Sequence, residues 1–322
     1  MRKRCIDMVY ELAKKDPRVV FIGSDLSPGL LSDMQREFPD RYFMEGISEA
    51  NVIGMAAGLA LRGYIPYVNT IATFNTRRCY EQVAVDACMH KLPIRLISNG
   101  GGLVYAPLGP THLAIEDIAI MRALPNMTVF AASDAEEMER MMRTTLDVPQ
   151  PIYIRLAKGG DKVVSKPELG FTFGKAILLK DATAGAKKPV LIISTGIGTT
   201  QSLVAAELLE SQGIATRVLH LHTIKPLDVE AVLHYANEAS FVTTVEEHIL
   251  AGGLGSLIAE TFADNDVRHA PLMRLGIDDV FAKHYGGQDD LMRTYGLMGD
   301  QIAARIKTRV EGNTSCQLNA AA

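Results

Sequence analysis

The sequence predicts an α/β protein of two successive domains, each a mostly parallel sheet covered by helices on both faces. Three observations carry this. Short apolar runs alternate with longer amphipathic segments, the pattern of repeated βα units. The alternation lapses over 157–188, where Gly159-Gly160, Pro167, Gly170, Gly174 and Gly185-Ala186-Lys187-Lys188-Pro189 read as a linker with a short intervening strand. A chain of 322 residues, 48% hydrophobic and 22% charged, is long and apolar enough for two cores.

In the first half, 19–22, 66–68, 94–97, 128–130 and 152–155 are predicted strands, and 48–62, 76–90, 115–123 and 134–146 predicted helices. Ser133 or Asp134 can cap the last of these, since acids follow at Glu136 and Glu137. In the second half, 190–194, 216–220, 241–245 and 272–275 are predicted strands, and 200–211, 228–237 and 253–264 helices. The expected layout is a domain over 1–160, a linker over 161–188, a second domain over 189–312 and a flexible tail over 313–322.

Bulk composition excludes several classes. A net charge of −4 gives no nucleic-acid surface. No apolar run approaches the roughly 20 residues of a membrane span, and the start, Met1-Arg2-Lys3-Arg4-Cys5-Ile6-Asp7, has no apolar signal region. Cys5, Cys79, Cys88 and Cys316 show neither metal spacing nor disulfide density, so the expected setting is the reducing cytoplasm. No metal site is predicted. Met138, Met141 and Met142 read as core filler, and His220 and His222 sit at a strand end without a third ligand.

The chemistry concentrates at strand ends. Residues 43–60 place one carboxylate, Glu49, at the head of a segment of small and apolar residues. Ala50, Gly54, Ala57 and Gly58 give that helix a thin face that another backbone can approach. A carboxylate there is partly desolvated and suited to proton exchange; its plain role is to complement the helix dipole. Thr73-Phe74 follows the next strand, with Arg77, Arg78 and Tyr80 behind it; Phe74 is a core aromatic or a stacking platform for a flat ring. A glycine- and proline-rich loop, 100–112, follows the strand at 94–97 and ends in His112, which suits proton transfer or capping of the next helix. Arg155 closes the strand at 152–155, where it could grip an anion or form a surface ion pair.

Gly46-Ile47-Ser48-Glu49, Thr73-Phe74, Gly109-Pro110-Thr111-His112 and Arg155, in this order and spacing, resemble the pyrimidine-binding domain of the transketolase and deoxyxylulose-phosphate synthase family of thiamine diphosphate enzymes. Val245-Glu246-Glu247-His248 followed by Gly252-Gly253-Leu254-Gly255-Ser256 resembles a marker of the family's C-terminal domain. The resemblance covers essentially the whole chain. It implies a doubly wound pyrimidine-type domain followed by a transketolase C-terminal-like domain. It also implies roles. Glu49 matches the glutamate that hydrogen-bonds the cofactor's aminopyrimidine and starts its proton relay. Phe74 matches the ring that stacks on that pyrimidine. Ile47 and Asp25 match cofactor-proximal positions. His112 matches the histidine at the donor carbonyl. Arg155 matches a sugar-phosphate ligand, and Arg2 is a further phosphate candidate.

Three departures shape the expectation. The family's diphosphate and Mg²⁺ site carries Gly-Asp-Gly, which this sequence lacks; Gly299-Asp300-Gln301 is the nearest fragment and does not match. The chain is therefore expected to be the small subunit of a split transketolase. It would bind the pyrimidine end of thiamine diphosphate, while an N-terminal subunit holds the diphosphate and Mg²⁺ in a heterotetramer that dimerises through this chain. Leu108 stands where the family usually has an aspartate that reads a substrate hydroxyl, and Gly100 where transketolases usually have a histidine; both belong to the expected substrate site. The substrate is thus expected to be an atypical sugar or sugar phosphate, with Tyr105 or Asn99 available to compensate. The alternatives are a deoxyxylulose-phosphate-synthase-like or 2-oxo acid decarboxylating subunit, and a non-catalytic regulatory subunit.

Overall fold

Each apolar run of the first half becomes a strand buried on both faces, as expected where helices cover a parallel sheet from two sides. The structure, a computed structural model, describes residues 1–24, 26, 29–157, 159–183, 188–265 and 269–320, the last eight as backbone alone. Asp25 lies outside the described residues.

The first half runs α1 (Arg2–Lys15), β1 (Val19–Gly23), α2 (Ser32–Glu37), β2 (Tyr42–Met44), α3 (Glu49–Leu61), β3 (Ile65–Ile71), α4 (Ala72–Asn75), α5 (Tyr80–Gln82), β4 (Arg95–Asn99), α6 (Asp117–Ala123), β5 (Thr128–Ala131), α7 (Ala135–Thr144) and β6 (Ile152–Leu156). The second runs β7 (Ile177–Lys180), β8 (Val190–Ser194), α8 (Gly198–Ser211), β9 (Thr216–His220), β10 (Thr223–Lys225), α9 (Val229–Glu238), β11 (Phe241–Ile249), α10 (Leu254–Ala263), β12 (Leu272–Ile277), α11 (Gln288–Thr294) and α12 (Gly299–Ala320). The first sheet has the order β10-β5-β6-β4-β3-β1-β2 and the second β12-β11-β8-β9-β7. Both are parallel except for one antiparallel edge strand each, β10 and β7.

Local chemistry explains the elements. Asp134 caps α7, its carboxylate accepting from Glu136 N and Glu137 N at 2.9 Å each, a contact of about 1 kcal/mol in typical helices. Met138, Met141 and Met142 are fully buried beneath α1 in the first core. Along α3, Val52, Ile53, Ala56, Ala57 and Ala60 face the core, while Ala50, Gly54 and Gly58 stay exposed. Ala57 therefore belongs to the buried side rather than to the thin outer face.

Four differences from the predicted elements matter. The segment 76–90 is not one helix: Thr76 leaves the helical region (φ −110°, ψ −88°), a 3₁₀ turn follows at Arg77–Cys79, and Val83–Met89 is a π-helix. The stretch expected to link the domains contributes β7 to the second sheet. β10, from the second half, crosses to the first sheet and pairs with β5, so Ala131 N donates to His222 O at 2.9 Å. The backbone from Asn313 to Ala320 continues α12 where composition suggests a frayed tail.

β1 leads outward to β2, whereas the chain after β3 moves the other way to β4. Such a reversal opens a crevice at the carboxyl ends of the strands, where open α/β sheets bind ligands. Ser24, just after β1, hydroxyl-bonds Thr70 of β3 at 3.1 Å across it.

Candidate active site

The segments that follow β2, β3 and β4 converge on this edge. Glu49 opens α3 and is 5% exposed, its charge placed favourably at the helix's positive end. Phe74 lies on α4, directly after β3, and is half-buried. The irregular turn beyond it aims Arg78 back over both: Nη1 donates to Glu49 Oε1 and Oε2 at 3.1 Å each, and the guanidinium carbon lies 3.9 Å from the Phe74 ring centroid. Phe74 meets the His112 ring edge-on, with centroids 5.3 Å apart and planes at 67°. His112 shares a 2.9 Å hydrogen bond between Nδ1 and the Thr111 hydroxyl. Arg77 holds the same loop from the other side, donating to Thr111 O at 3.0 Å and pairing with Glu116 at 3.1 Å. Glu49, Phe74 and His112, widely separated in sequence, thus form one contiguous group. Ile47, two residues before Glu49, is 70% exposed at its rim.

The loop that presents His112 is anchored in the second domain. Leu103, Ala106, Leu113 and Ile115 pack into that domain's core. Gly100 N and Gly101 N donate to Leu156 O at 3.0 and 2.9 Å, and Gly102 and Ala114 exchange backbone hydrogen bonds. Glu247 of β11 accepts from Leu103 N at 2.9 Å and from Gln288 Nε2 at 2.8 Å. Gly102, at φ +72°, has Glu247's carboxyl carbon 2.6 Å from where a Cβ would stand, so a side chain there is excluded both by backbone and by space. Burial pushes the Glu247 carboxyl up to about 7 against the pull of Arg155, and burial raises Glu246 to about 7 as well.

Two substrate expectations are corrected. Arg155 is not a free anion ligand. It is 5% exposed; its Nε donates to Asp117 Oδ2 at 2.7 Å, and Nη2 donates to Glu247 O at 2.9 Å and Ala114 O at 3.2 Å. Tyr153 donates to the same Asp117 oxygen at 2.7 Å. Burial works against the guanidinium's charge, but Asp117 outweighs it and holds Arg155 above its ordinary pKa. This arginine ties β6 to α6, the site loop and β11. Gly100 is buried, and the Tyr105 ring covers it, with Cε2 2.1 Å from where a Cβ would be. A side chain at position 100 is replaced in space by Tyr105. Leu108 is 51% exposed on the loop, and Arg2 is half-exposed at the start of α1.

Residues that sequence reasoning gave no role prove central. Arg78 was named behind Phe74 but given no role. Asp117 had none. Glu247 lay inside the Val245-Glu246-Glu247-His248 marker without an assigned contact. Elsewhere, His220 shares 2.8 Å hydrogen bonds with Thr199 Oγ1 and Glu137 Oε2 and is buried. Burial opposes the charge of Glu137, yet His220 wins and holds that carboxyl down at about 2. The Cys79 and Cys88 thiols are pushed up to about 12 by burial, which leaves them unreactive. Among the described residues no helix is long and apolar enough to cross a membrane.

An acid, an aromatic face and a histidine gathered at the carboxyl edge of a parallel sheet, with a second α/β domain buttressing the loop that carries the histidine, mark a ligand site of the kind open α/β sheets build there. Residues 1–160 match the transketolase pyrimidine-binding domain and residues 182–302 the transketolase C-terminal domain. The chain belongs to the transketolase family. A putative transketolase C-terminal section from Methanocaldococcus jannaschii is 36% identical over 309 residues, covering 95% of each chain. The 6-deoxy-6-sulfo-D-fructose transketolase subunit SqwH of a Clostridium species is 35% identical over 94% of this chain and 92% of its own. A solved split-gene transketolase, described as an inactive β4 tetramer, superimposes with a TM-score of 0.86 at 34% identity, over 95% of this chain and 97% of that one.

Proposed function

We propose that this chain is the small, C-terminal subunit of a split thiamine-diphosphate-dependent transketolase, transferring a two-carbon ketol unit from a ketose donor to an aldose acceptor. The carrying observation is the Glu49, Phe74 and His112 group at the carboxyl edge of the first sheet. The group fits the pyrimidine end of the cofactor: Phe74 already has a flat cation 3.9 Å from its ring, and a nearly buried carboxylate borders the same space. When bound, thiamine diphosphate supplies the carbon nucleophile of the reaction. In this reading Glu49 holds and exchanges a proton at the pyrimidine, Phe74 fixes the plane of the ring, and Ile47 shields its edge. His112 binds the donor's oxygen side. Asp25 and Arg2 are assigned to the cofactor and phosphate surroundings on sequence grounds alone.

A partner subunit supplies the diphosphate and Mg²⁺ site, in a heterotetramer that this chain dimerises. Two findings support that: the relatives of matching length are named as a section or a subunit, and Ala50, Gly54 and Gly58 leave an exposed helix face with open space beyond the glycines. The substrate is read as an atypical sugar or sugar phosphate, because Leu108 is exposed on the site loop and cannot bond a hydroxyl. A relative that acts on a sulfo-sugar supports the same reading.

Glu49→Ala in the assembled complex tests the catalytic assignment. Loss of a positioned proton-transfer group costs about 10²–10⁴-fold in rate; wild-type turnover would reject the assignment. Leu108→Asp tests specificity: relative rates should move towards ordinary ketose phosphates, and an unchanged ratio would count against the substrate reading.

A further inference from the structure

Arg78 occupies both features that the proposed function assigns to the cofactor's pyrimidine. Its guanidinium is flat and stands over Phe74, 3.9 Å from the ring centroid. The same group engages both carboxylate oxygens of Glu49 at 3.1 Å. A guanidinium combines a planar, stackable face with in-plane N–H donors, which is the combination a flat nitrogen heterocycle also presents to an aromatic ring and a carboxyl group. Two flat groups cannot share one face of Phe74, and a guanidinium already held on both Glu49 oxygens must shift before a ring nitrogen can approach the carboxylate from that side.

We propose that Arg78 is a built-in stand-in for the aminopyrimidine: it fills the pyrimidine site of the cofactor-free chain and is exchanged out when the cofactor docks. The proposal rests on the assignment of Glu49 and Phe74 to the pyrimidine.

The surrounding structure suits an exchange of this one side chain. Arg78 is 44% exposed, so its head has a path to water. The turn that carries it is pinned on both sides. Arg77 is committed to Thr111 O and Glu116, and buried Cys79 donates from Sγ to Phe74 O at 3.1 Å. The backbone can therefore stay in place while the Arg78 side chain leaves. Its residence also gives the carboxylate of Glu49, only 5% exposed, a partner while the site lacks its ligand, which avoids leaving a desolvated charge unpaired. The consequence is a self-competition that weakens cofactor affinity and couples loading to the release of one ion pair and one cation–π contact.

Calorimetric titration of the assembled complex with thiamine diphosphate and Mg²⁺ tests this without measuring turnover. Arg78→Met keeps an apolar stem and removes the competing charge and plane. It should tighten the dissociation constant by about three- to thirtyfold, the range for an exposed cation–π contact plus a half-exposed ion pair. Arg78→Lys, which keeps charge without the plane, should fall between Arg78→Met and wild type. Arg78→Gln serves if the methionine variant does not assemble, with the same direction expected. Unchanged or weaker binding in the neutral variants overturns the stand-in. Adding Glu49→Ala to Arg78→Met removes the ring contact where no competitor remains, so affinity must fall. If it does not, the pyrimidine lies elsewhere and the assignment of the site, rather than the exchange, is what fails.

Discussion

At the scale of single residues, Arg155 shows what position along a chain conceals. An arginine at a strand's carboxyl end reads as an anion ligand as long as that end faces water. Here β11 and the 100–115 loop cover it, and its partners Asp117, Ala114 and Glu247 come from three other segments. None of those separations is visible in local sequence. Glu49 and Phe74 were legible because one opens a helix and the other directly follows a strand at the sheet's carboxyl edge, and His112 because it ends the glycine- and proline-rich loop that leaves β4. Arg78 was not, since its role depends on where a broken helix turns. Arg155→Met should leave Asp117 charged, buried and unpaired. That typically costs about 3–5 kcal/mol, so the urea unfolding midpoint of the free chain should drop sharply. A phosphate ligand would behave differently: stability would be unchanged and only the KM for a phosphorylated substrate would rise.

At the scale of elements, the sheet strands were readable and the connections were not. Runs such as Val19–Gly23 and Ile152–Leu156 are buried at every position, so apolar composition alone marks them. β2 and β10 have three residues each, too short for any periodicity. α1 buries Cys5, Met8, Val9, Leu12 and Ala13 at helical spacing, but its basic first turn reads first as a question of targeting. The 76–90 segment is apolar enough for one helix and instead breaks at Thr76, which is what points Arg77 and Arg78 at separate carboxylates. The site loop owes its course to Gly102, whose positive φ and contact with Glu247 tolerate no side chain. Gly102→Ala should cost about 1–3 kcal/mol in stability and displace the segment leading to His112, lowering kcat in the complex. Wild-type stability together with wild-type kcat would show that the loop does not depend on this glycine.

At the scale of the whole molecule, the two halves are joined through the site rather than beside it. β10 extends the first sheet, Leu103 and Leu113 enter the second core, and Arg155 and Glu247 bind segments of both halves. The second domain therefore sets where His112 stands. The glycine-rich stretch at 157–188 marks a change of sheet, yet it also supplies β7 and so belongs to the second sheet's architecture. A cavity of about 380 Å³ between the halves, lined by Arg77, Glu116, Ile249, Asp279 and Phe281, lies against this same junction. In the proposed function the chain presents one side of a cofactor site, its pyrimidine half, and both domains hold the loop that carries His112.

The most direct test of that account is ketol transfer measured on the purified chain with thiamine diphosphate and Mg²⁺, and again after co-expression with a subunit carrying a Gly-Asp-Gly diphosphate domain. The half-site account predicts no transfer by the chain alone and turnover on assembly. Robust transfer by the isolated chain would contradict it.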